Sequence, residues 1–199
     1  MTVRHKYEDG EVTVRFIAAK AKVARTKVTS VPRLELMAAV LGLRLTRKVS
    51  ELLQIPFENC TLWTDSKDVI FWIQGQSRRY KTFIANRLSE IHQKSSPRQW
   101  RHVPTNLNCA GNVTRGLLAK VLTREHRWFS GPELLYEHED NWPQGKYILC
   151  EERLKKCLAE IVKPKMTFAL EVSQPFMNPL KYSILAGTDF KESQCGWTI

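Results

Sequence analysis

Residues 60–75 read CTLWTDSKDVIFWIQG, a short apolar run, then a polar pair, then a second apolar run of helical length. The first five residues, 60–64, predict a strand, and residues 67–74 predict a helix that stops before a glycine. Asp65 and Ser66 end the strand, and either side chain can cap the helix that follows. A strand that leads directly into a helix is typical of α/β architecture, so this segment decides the fold class.

The longest helix is predicted just upstream. Ser30 and Pro32 are typical of a helix start, because a hydroxyl caps the helix and a proline fits its first turn. Apolar residues then recur at every third or fourth position and form one stripe: Leu34, Ala38, Leu41, Leu45, Val49 and Leu52. Pro56 disfavours helix just before it, so we expect this helix to end near Gln54.

Shorter elements complete the domain. Asp9-Gly10 separates two N-terminal strands and predicts a type I′ hairpin turn, in which both central residues have positive φ. Downstream we predict a helix over residues 82–93, a strand over 99–103 and a short helix over 112–121. The resulting order, ββ-α-β-α-α-β-α, predicts a mixed α/β domain over residues 1–130.

The sequence changes character after residue 130. Gly-Pro at 131–132 and Trp-Pro at 142–143 are turn signals, and residues 151–162 have the pattern of one amphipathic helix. We therefore interpret residues 131–199 as an irregular linker or tail. The sequence contains neither a transmembrane stretch nor the apolar core of a signal peptide, so we expect an intracellular protein, cytoplasmic or nuclear.

The charge of this 199-residue chain is basic and unevenly distributed. Residues 1–130 carry 23 basic and 10 acidic side chains, whereas residues 131–199 carry 8 and 10. A basic domain with a near-neutral tail indicates a polyanionic partner, of which nucleic acid is the simplest. A basic surface that serves only solubility is the alternative.

Basic and aromatic side chains are densest between residues 78 and 101. This segment has seven basic residues and a single acid, Glu90. Basic groups can contact phosphates while aromatic rings pack on sugars or bases. The candidate nucleic-acid-binding residues are Arg78, Arg79, Lys81, Arg87 and Arg101. The alternative is an ordinary solvated face above core aromatics.

Two acidic residues stand out by their positions. Glu35 lies in the first turn of the long helix, on a face of small residues, and Asp65 follows a strand at the edge where α/β sheets place ligands. Two such carboxylates can hold a divalent cation through hard oxygen ligands. Equally, Glu35 can stabilise its helix N-terminus and Asp65 can cap the next helix. Asp68 lies one turn further on and is expected to point along that helix.

Six short motifs occur in one order along the chain. They are VPRLELMAA at 31–39, WTDS at 63–66, RYKTFIANR at 79–87, WRHVP at 100–104, NCAG at 108–111 with TRG at 114–116, and WFSGP at 128–132. In this order they resemble the RNase H-like region of BEL/Pao long-terminal-repeat retrotransposon polyproteins. The resemblance runs from residue 12 to residue 143 and continues into the linker that leads towards integrase in the family.

The resemblance implies a fold and a chemistry. The fold is a mixed five-stranded sheet flanked by helices. Domains of this family cleave the RNA strand of an RNA/DNA hybrid with two divalent ions, Mg²⁺ or Mn²⁺, held by four carboxylates. Glu35 matches the helix acid and Asp65 the acid of the fourth strand, so both are the candidate catalytic and metal-binding residues. The last acid falls on Gly111, and we expect the first strand with its acid to be missing.

Two carboxylates supply about half of the negative charge that such a metal pair receives. We therefore expect a degenerate RNase H-like fragment that binds an RNA/DNA hybrid at most, holds no metal ion tightly and has lost cleavage. An active metal-dependent ribonuclease H and a non-catalytic protein-interaction remnant are the alternatives.

A missing first strand also predicts a gap in the sheet. In the family this strand is central, between the second and fourth strands, so its absence leaves open edges that favour a homo-oligomer or a partner chain. Alternatively, the two halves of the sheet pair directly, or the tail supplies a strand. Residues 167–172, TFALEV, are the candidate for such a strand.

Overall fold

The computed structural model of the chain describes residues 1–23, 29–112, 118–124, 126–143, 151–162 and 194–198. The strands are β1 Thr2–Lys6, β2 Val12–Phe16, β3 Cys60–Thr64, β4 Trp100–His102 and β5 Gln194–Thr198. The α-helices with defined bounds are α1 Val31–Leu52, α2 Lys67–Gln74, α3 Thr82–Lys94, α4 Arg127–Ser130 and α5 Glu151–Leu158. Within the predicted short helix over 112–121, Ala119–Val121 form a 3₁₀ turn and residues 113–117 lie outside the described residues.

The strands form one mixed five-stranded sheet in the order β2-β1-β5-β3-β4. β5 lies in the middle, antiparallel to β1 with Thr2 opposite Gly196, and parallel to β3 with Thr61 opposite the same glycine. The tail therefore supplies the central strand, and the inner edges of β1 and β3 are paired rather than open. The segment that the sequence favoured for this role, residues 167–172, lies outside the described residues, and Gln194–Thr198 occupy the position instead.

Apolar groups cover the sheet on both faces. Because side chains alternate along a strand, Leu62 and Trp63 of β3 point to opposite faces. Leu62 belongs to the larger core, with buried residues of α1, α2 and α3. Trp63 belongs to a second cluster with Leu134, Leu135 and Trp142. The mixed sheet flanked by helices confirms the predicted fold class.

The β1–β2 hairpin is confirmed, but its turn is not of type I′. The amide of Gly10 donates to the carbonyl of Tyr7 at 3.1 Å, and the amide of Tyr7 donates to the carbonyl of Glu11 at 2.8 Å. Gly10 has φ +88°, whereas Asp9 keeps a negative φ and its carboxylate accepts the amide of Glu11 at 2.9 Å. Three loop residues with one left-handed glycine form the bulged hairpin, so the single glycine satisfies the turn.

The end of α1 shows why the helix stops before Pro56. The amide of Ile55 donates to the carbonyl of Ser50 at 2.9 Å, and the amide of Gln54 donates to the carbonyl of Glu51 at 3.3 Å. This is a Schellman-type ending, in which the residue after the cap is left-handed. Gln54 has φ +54° and takes the position that glycine normally occupies.

Residues 131–142 pack against the sheet through Arg4 of β1. The Arg4 side chain is 5% exposed, and its Nε donates to the carbonyl of Leu135 at 2.7 Å while one Nη donates to the carbonyl of Glu137 at 3.2 Å. Its guanidinium also lies 5.6 Å from the ring centre of Trp142. The interaction fastens this segment over the face that carries Trp63.

Candidate active site and nucleic-acid interface

Glu35 and Ser66 connect α1 to the start of α2. The Oγ of Ser66 donates to Oε2 of Glu35 at 2.5 Å and accepts the amide of Val69 at 3.3 Å. Ser66 is therefore the N-cap of α2 and is 2% exposed. Because the cap hydroxyl also binds a carboxylate, it fixes Glu35 at the edge where β3 ends.

The Glu35 carboxyl titrates above its usual range. Partial burial raises its pKa, the Ser66 hydroxyl opposes that shift, and the neighbouring charges of Asp65 and Asp68 raise it again. Desolvation and like charges both disfavour the ionised form. The structure thus brings the two predicted site residues, Glu35 and Asp65, into one electrostatic group.

Asp68 belongs to the same electrostatic group, because its charge also raises the pKa of Glu35. The residue is 6% exposed, and its buried Oδ1 has no hydrogen-bond partner. The nearest cation is Nη1 of Arg153 on α5, 3.9 Å from that oxygen. The charge of Arg153 also lowers the pKa of Glu35, so this arginine partly balances the acidic group.

His102 faces this group from the end of β4, opposite Thr64 of β3. Burial and the cation of Lys67 lower its pKa, whereas a hydrogen bond to the Asp65 backbone and the Asp65 charge raise it. The net direction is downward, which favours a neutral imidazole at pH 7.

The residues present do not fit a metal pair held by four carboxylates. Within the described ranges, no group of three or more His, Cys, Asp or Glu side chains is arranged to hold a metal ion. One oxygen of Glu35 is engaged by Ser66, and an arginine guanidinium stands beside Asp68. Gly111 follows an Asx turn in which Asn108 accepts the amide of Ala110 at 3.0 Å, and it brings no acid.

The predicted basic residues fall into two groups. Arg78, Arg79 and Lys81 are exposed, and they lie on and just after the 3₁₀ turn Ser77–Arg79 that joins α2 to α3. Arg87 and Arg101 are half-buried and already engaged by aromatic rings. The Arg87 guanidinium lies 3.5 Å from the ring centre of Phe83, and that of Arg101 lies within 5.8 Å of two tryptophan rings.

Arg33 of α1 is half-buried and shares a partner with Lys81 of the exposed basic group. Its guanidinium lies 5.2 Å from the ring centre of Phe83, on which Arg87 also stacks. An Nη of Arg33 donates to Oε2 of Glu160 at 2.8 Å, and Nζ of Lys81 lies 3.9 Å from the same oxygen. A carboxylate from residues 151–162 thus lies within the basic surface.

The predicted site residues did not include Arg33, His102 or Arg153. Arg33 lies in the motif VPRLELMAA and His102 lies in the motif WRHVP. Their places in these motifs could have identified both residues from the sequence. Arg153 carries no such signal, because its relation to Asp68 arises only when α5 packs on α2.

The fold and the paired acids together define a class of protein. A mixed sheet flanked by helices, with one acid from the first long helix and one from the end of an inner strand, is consistent with an RNase H-like domain. A scan against protein-family models matches residues 1–66 to the Pao retrotransposon-like RNaseH-like domain. The match includes Glu35 and Asp65 and two of the six motifs, and over these residues it supports the predicted resemblance to a Pao RNase H-like domain.

The search of curated proteins gave no match, and neither did the search of solved structures. None of the helices that the structure describes has the length and apolarity needed to cross a bilayer.

Proposed function

We propose that this chain binds an RNA/DNA hybrid through its basic surface and has lost efficient cleavage. The loss of cleavage is inferred mainly from the composition of the central strand, β5. β5 is central in the sheet, as the resemblance implies for the family's first strand, and its residues Gln194, Cys195, Gly196, Trp197 and Thr198 include no acid.

The small number of carboxylates at the candidate site also supports the loss of cleavage. Catalysis with two metal ions depends on positioning and on neutralising the charge of the cations. Glu35 and Asp65 are the matched acids, Gly111 replaces the last one, and Arg153 adds a positive charge near Asp68. Mg²⁺ gives up its waters reluctantly, so a site with this charge binds it weakly.

The binding half of the proposal rests on the exposed cations. Arg78, Arg79 and Lys81 lie together at the α2–α3 connection, and all three are exposed. Phosphate contacts of this kind give affinity that falls steeply with salt. An intracellular compartment, cytoplasmic or nuclear, suits such a partner.

Binding is measured by fluorescence anisotropy with a labelled RNA/DNA hybrid over a range of salt concentrations. Arg79→Gln should weaken binding and reduce the slope of log K against log salt by about 1. Lys6→Gln is the matched control, since Lys6 is also exposed but lies on β1, outside the basic surface. If Arg79→Gln and Lys6→Gln weaken binding equally, the assignment of hybrid binding to this basic surface is wrong.

Cleavage is measured with the same hybrid in Mg²⁺ and, separately, Mn²⁺. We expect no specific product from the wild-type chain. Glu58→Gln is the control for Glu35→Gln, because Glu58 is exposed on the turn before β3. Cleavage that Glu35→Gln abolishes and Glu58→Gln preserves would refute the loss of activity.

Such a result would establish the second candidate, an active metal-dependent ribonuclease H. One observation favours this candidate: Asp68, which is itself buried, provides a third carboxylate next to Glu35. If it were correct, Asp68→Asn would also abolish cleavage.

A further inference from the structure

Residues 151–162 cross the proposed site as one continuous segment, which we call the strap. Its first part is α5, whose Cys157 is 1% exposed and packs into the main core. Its second part pairs with the α2–α3 connection. There the amide of Lys81 donates to the carbonyl of Glu160 at 2.8 Å, and the amide of Val162 donates to the carbonyl of Arg79 at 2.8 Å.

The charged side chains of the strap divide into two sets. Glu151 and Glu152 pair with Lys155 and Lys156, one helical turn away and exposed. Arg153 and Glu160 instead pair with the body of the domain, the arginine with Asp68 and the glutamate with Arg33 and Lys81. The strap therefore presents a cation to the acidic group and an anion to the basic surface.

The Glu160 carboxylate contacts two cations of the basic surface, Arg33 and Lys81. Its side chain is 18% exposed, so it lies against the surface rather than extending into solvent. Arginine and lysine bind carboxylate and phosphate oxygens through the same donors. While Glu160 is bound, its single negative charge is paired with Arg33 and lies 3.9 Å from Nζ of Lys81.

We propose that the strap is an autoinhibitory element, in which Glu160 competes with nucleic-acid phosphates for Arg33 and Lys81. Nucleic acid that reaches these two cations displaces Glu160 and opens the pairing between residues 160–162 and 79–81. The inference rests on the proposed hybrid binding and adds that this binding is restrained from within the chain.

The first experiment compares Glu160→Gln with Glu152→Gln, which changes the net charge equally at an exposed, self-paired position. Glu160→Gln should tighten hybrid binding about fivefold more than the control, the factor that corresponds to one surface ion pair. The slope of log K against log salt should also steepen by about 1 to 2, since two more cations become available to phosphates. Urea unfolding of each variant confirms that it is folded.

Hydrogen exchange at the amides of Lys81 and Val162 provides a second readout. Exchange at both should accelerate in Glu160→Gln relative to Glu152→Gln, and in the wild-type chain when hybrid is added. The autoinhibitory role of the strap is refuted if Glu160→Gln and Glu152→Gln bind hybrid alike and both amides stay protected in the complex. If Arg79→Gln still weakens binding in that case, the proposed function stands. If neither the wild-type chain nor Glu160→Gln binds hybrid, the proposed function fails and the competition fails with it.

Discussion

Replacing Ser66 by alanine removes one hydroxyl that serves two parts of the candidate site. Its Oγ donates to Glu35 at 2.5 Å and caps α2 by accepting the amide of Val69 at 3.3 Å. Loss of a serine cap costs about 1 kcal/mol. Loss of a hydrogen bond to a charged group costs about 1.5–3 kcal/mol more, provided that the carboxyl is ionised.

The pH dependence of this cost follows from the raised pKa of Glu35. Between the unfolded and folded pKa values the native state binds more protons, so stability decreases as the pH rises through that window. Without the hydroxyl the folded pKa rises further and the window extends upward. Ser66→Ala should therefore lower the free energy of unfolding by about 1 kcal/mol at pH 4, where folded Glu35 is protonated, and by about 2.5–4 kcal/mol at pH 7.

Urea unfolding at the two pH values measures this difference. Ser50→Ala is the matched control, because Ser50 is 4% exposed and its Oγ donates to the neutral carbonyl of Arg47 at 3.0 Å. Ser50→Ala should lower the free energy of unfolding by the same amount at pH 4 and at pH 7. An equal cost of Ser66→Ala at both values would show that the hydroxyl does not stabilise an ionised Glu35.

Four further substitutions test the rest of the fold. Arg4→Met should cost about 1–3 kcal/mol in urea unfolding, because it leaves two backbone carbonyls without their donor. Gln54→Gly should raise the unfolding free energy by about 0.5–1 kcal/mol, since the residue has φ +54°. Arg44 and Lys94 bind Glu90 and lower its pKa to about 2. The ionised carboxylate therefore stabilises the fold above the unfolded pKa, and this stabilisation is lost as the pH falls towards 2. The stability advantage of the wild-type chain over Glu90→Gln should therefore shrink between pH 5 and pH 2 in thermal unfolding. Gly196→Pro should cost about 3 kcal/mol or more and lower the thermal midpoint, since proline cannot donate within a central strand; an unchanged midpoint would contradict the position of β5.

The local elements were predictable because their signals are local. The strand over 60–64 and the helix over 67–74 are observed with the predicted bounds, and α1 begins and ends within two residues of the prediction. Each of these elements is specified by a periodic pattern of apolar residues and by a capping or terminating residue that lies close by in the sequence. The hairpin turn was predicted incorrectly because Asp-Gly fits more than one loop type, and the choice depends on whether Asp9 adopts positive φ.

The long-range partners could not be predicted in the same way. Gln194–Thr198 form a strand because two open edges lie on either side, and no residue within the segment specifies that pairing. Likewise Arg153 meets Asp68, and Glu160 meets Arg33, only after α5 packs on the domain. Sequence patterns identified Glu35 and Asp65 as acids of interest, whereas tertiary packing determined which charges surround them.

The central position of β5 has a consequence for how the chain folds during synthesis. Thr2 and Thr61 both pair with Gly196, so the N-terminal hairpin and the β3–α2 unit are joined in one sheet only through β5, after residue 196 has left the ribosome. Pairing over such a sequence separation is slow, because the closure entropy of a long loop is lost before the contacts form. The nascent chain therefore exposes two half-sheets until β5 has been synthesised, the stage at which molecular chaperones bind unpaired strands.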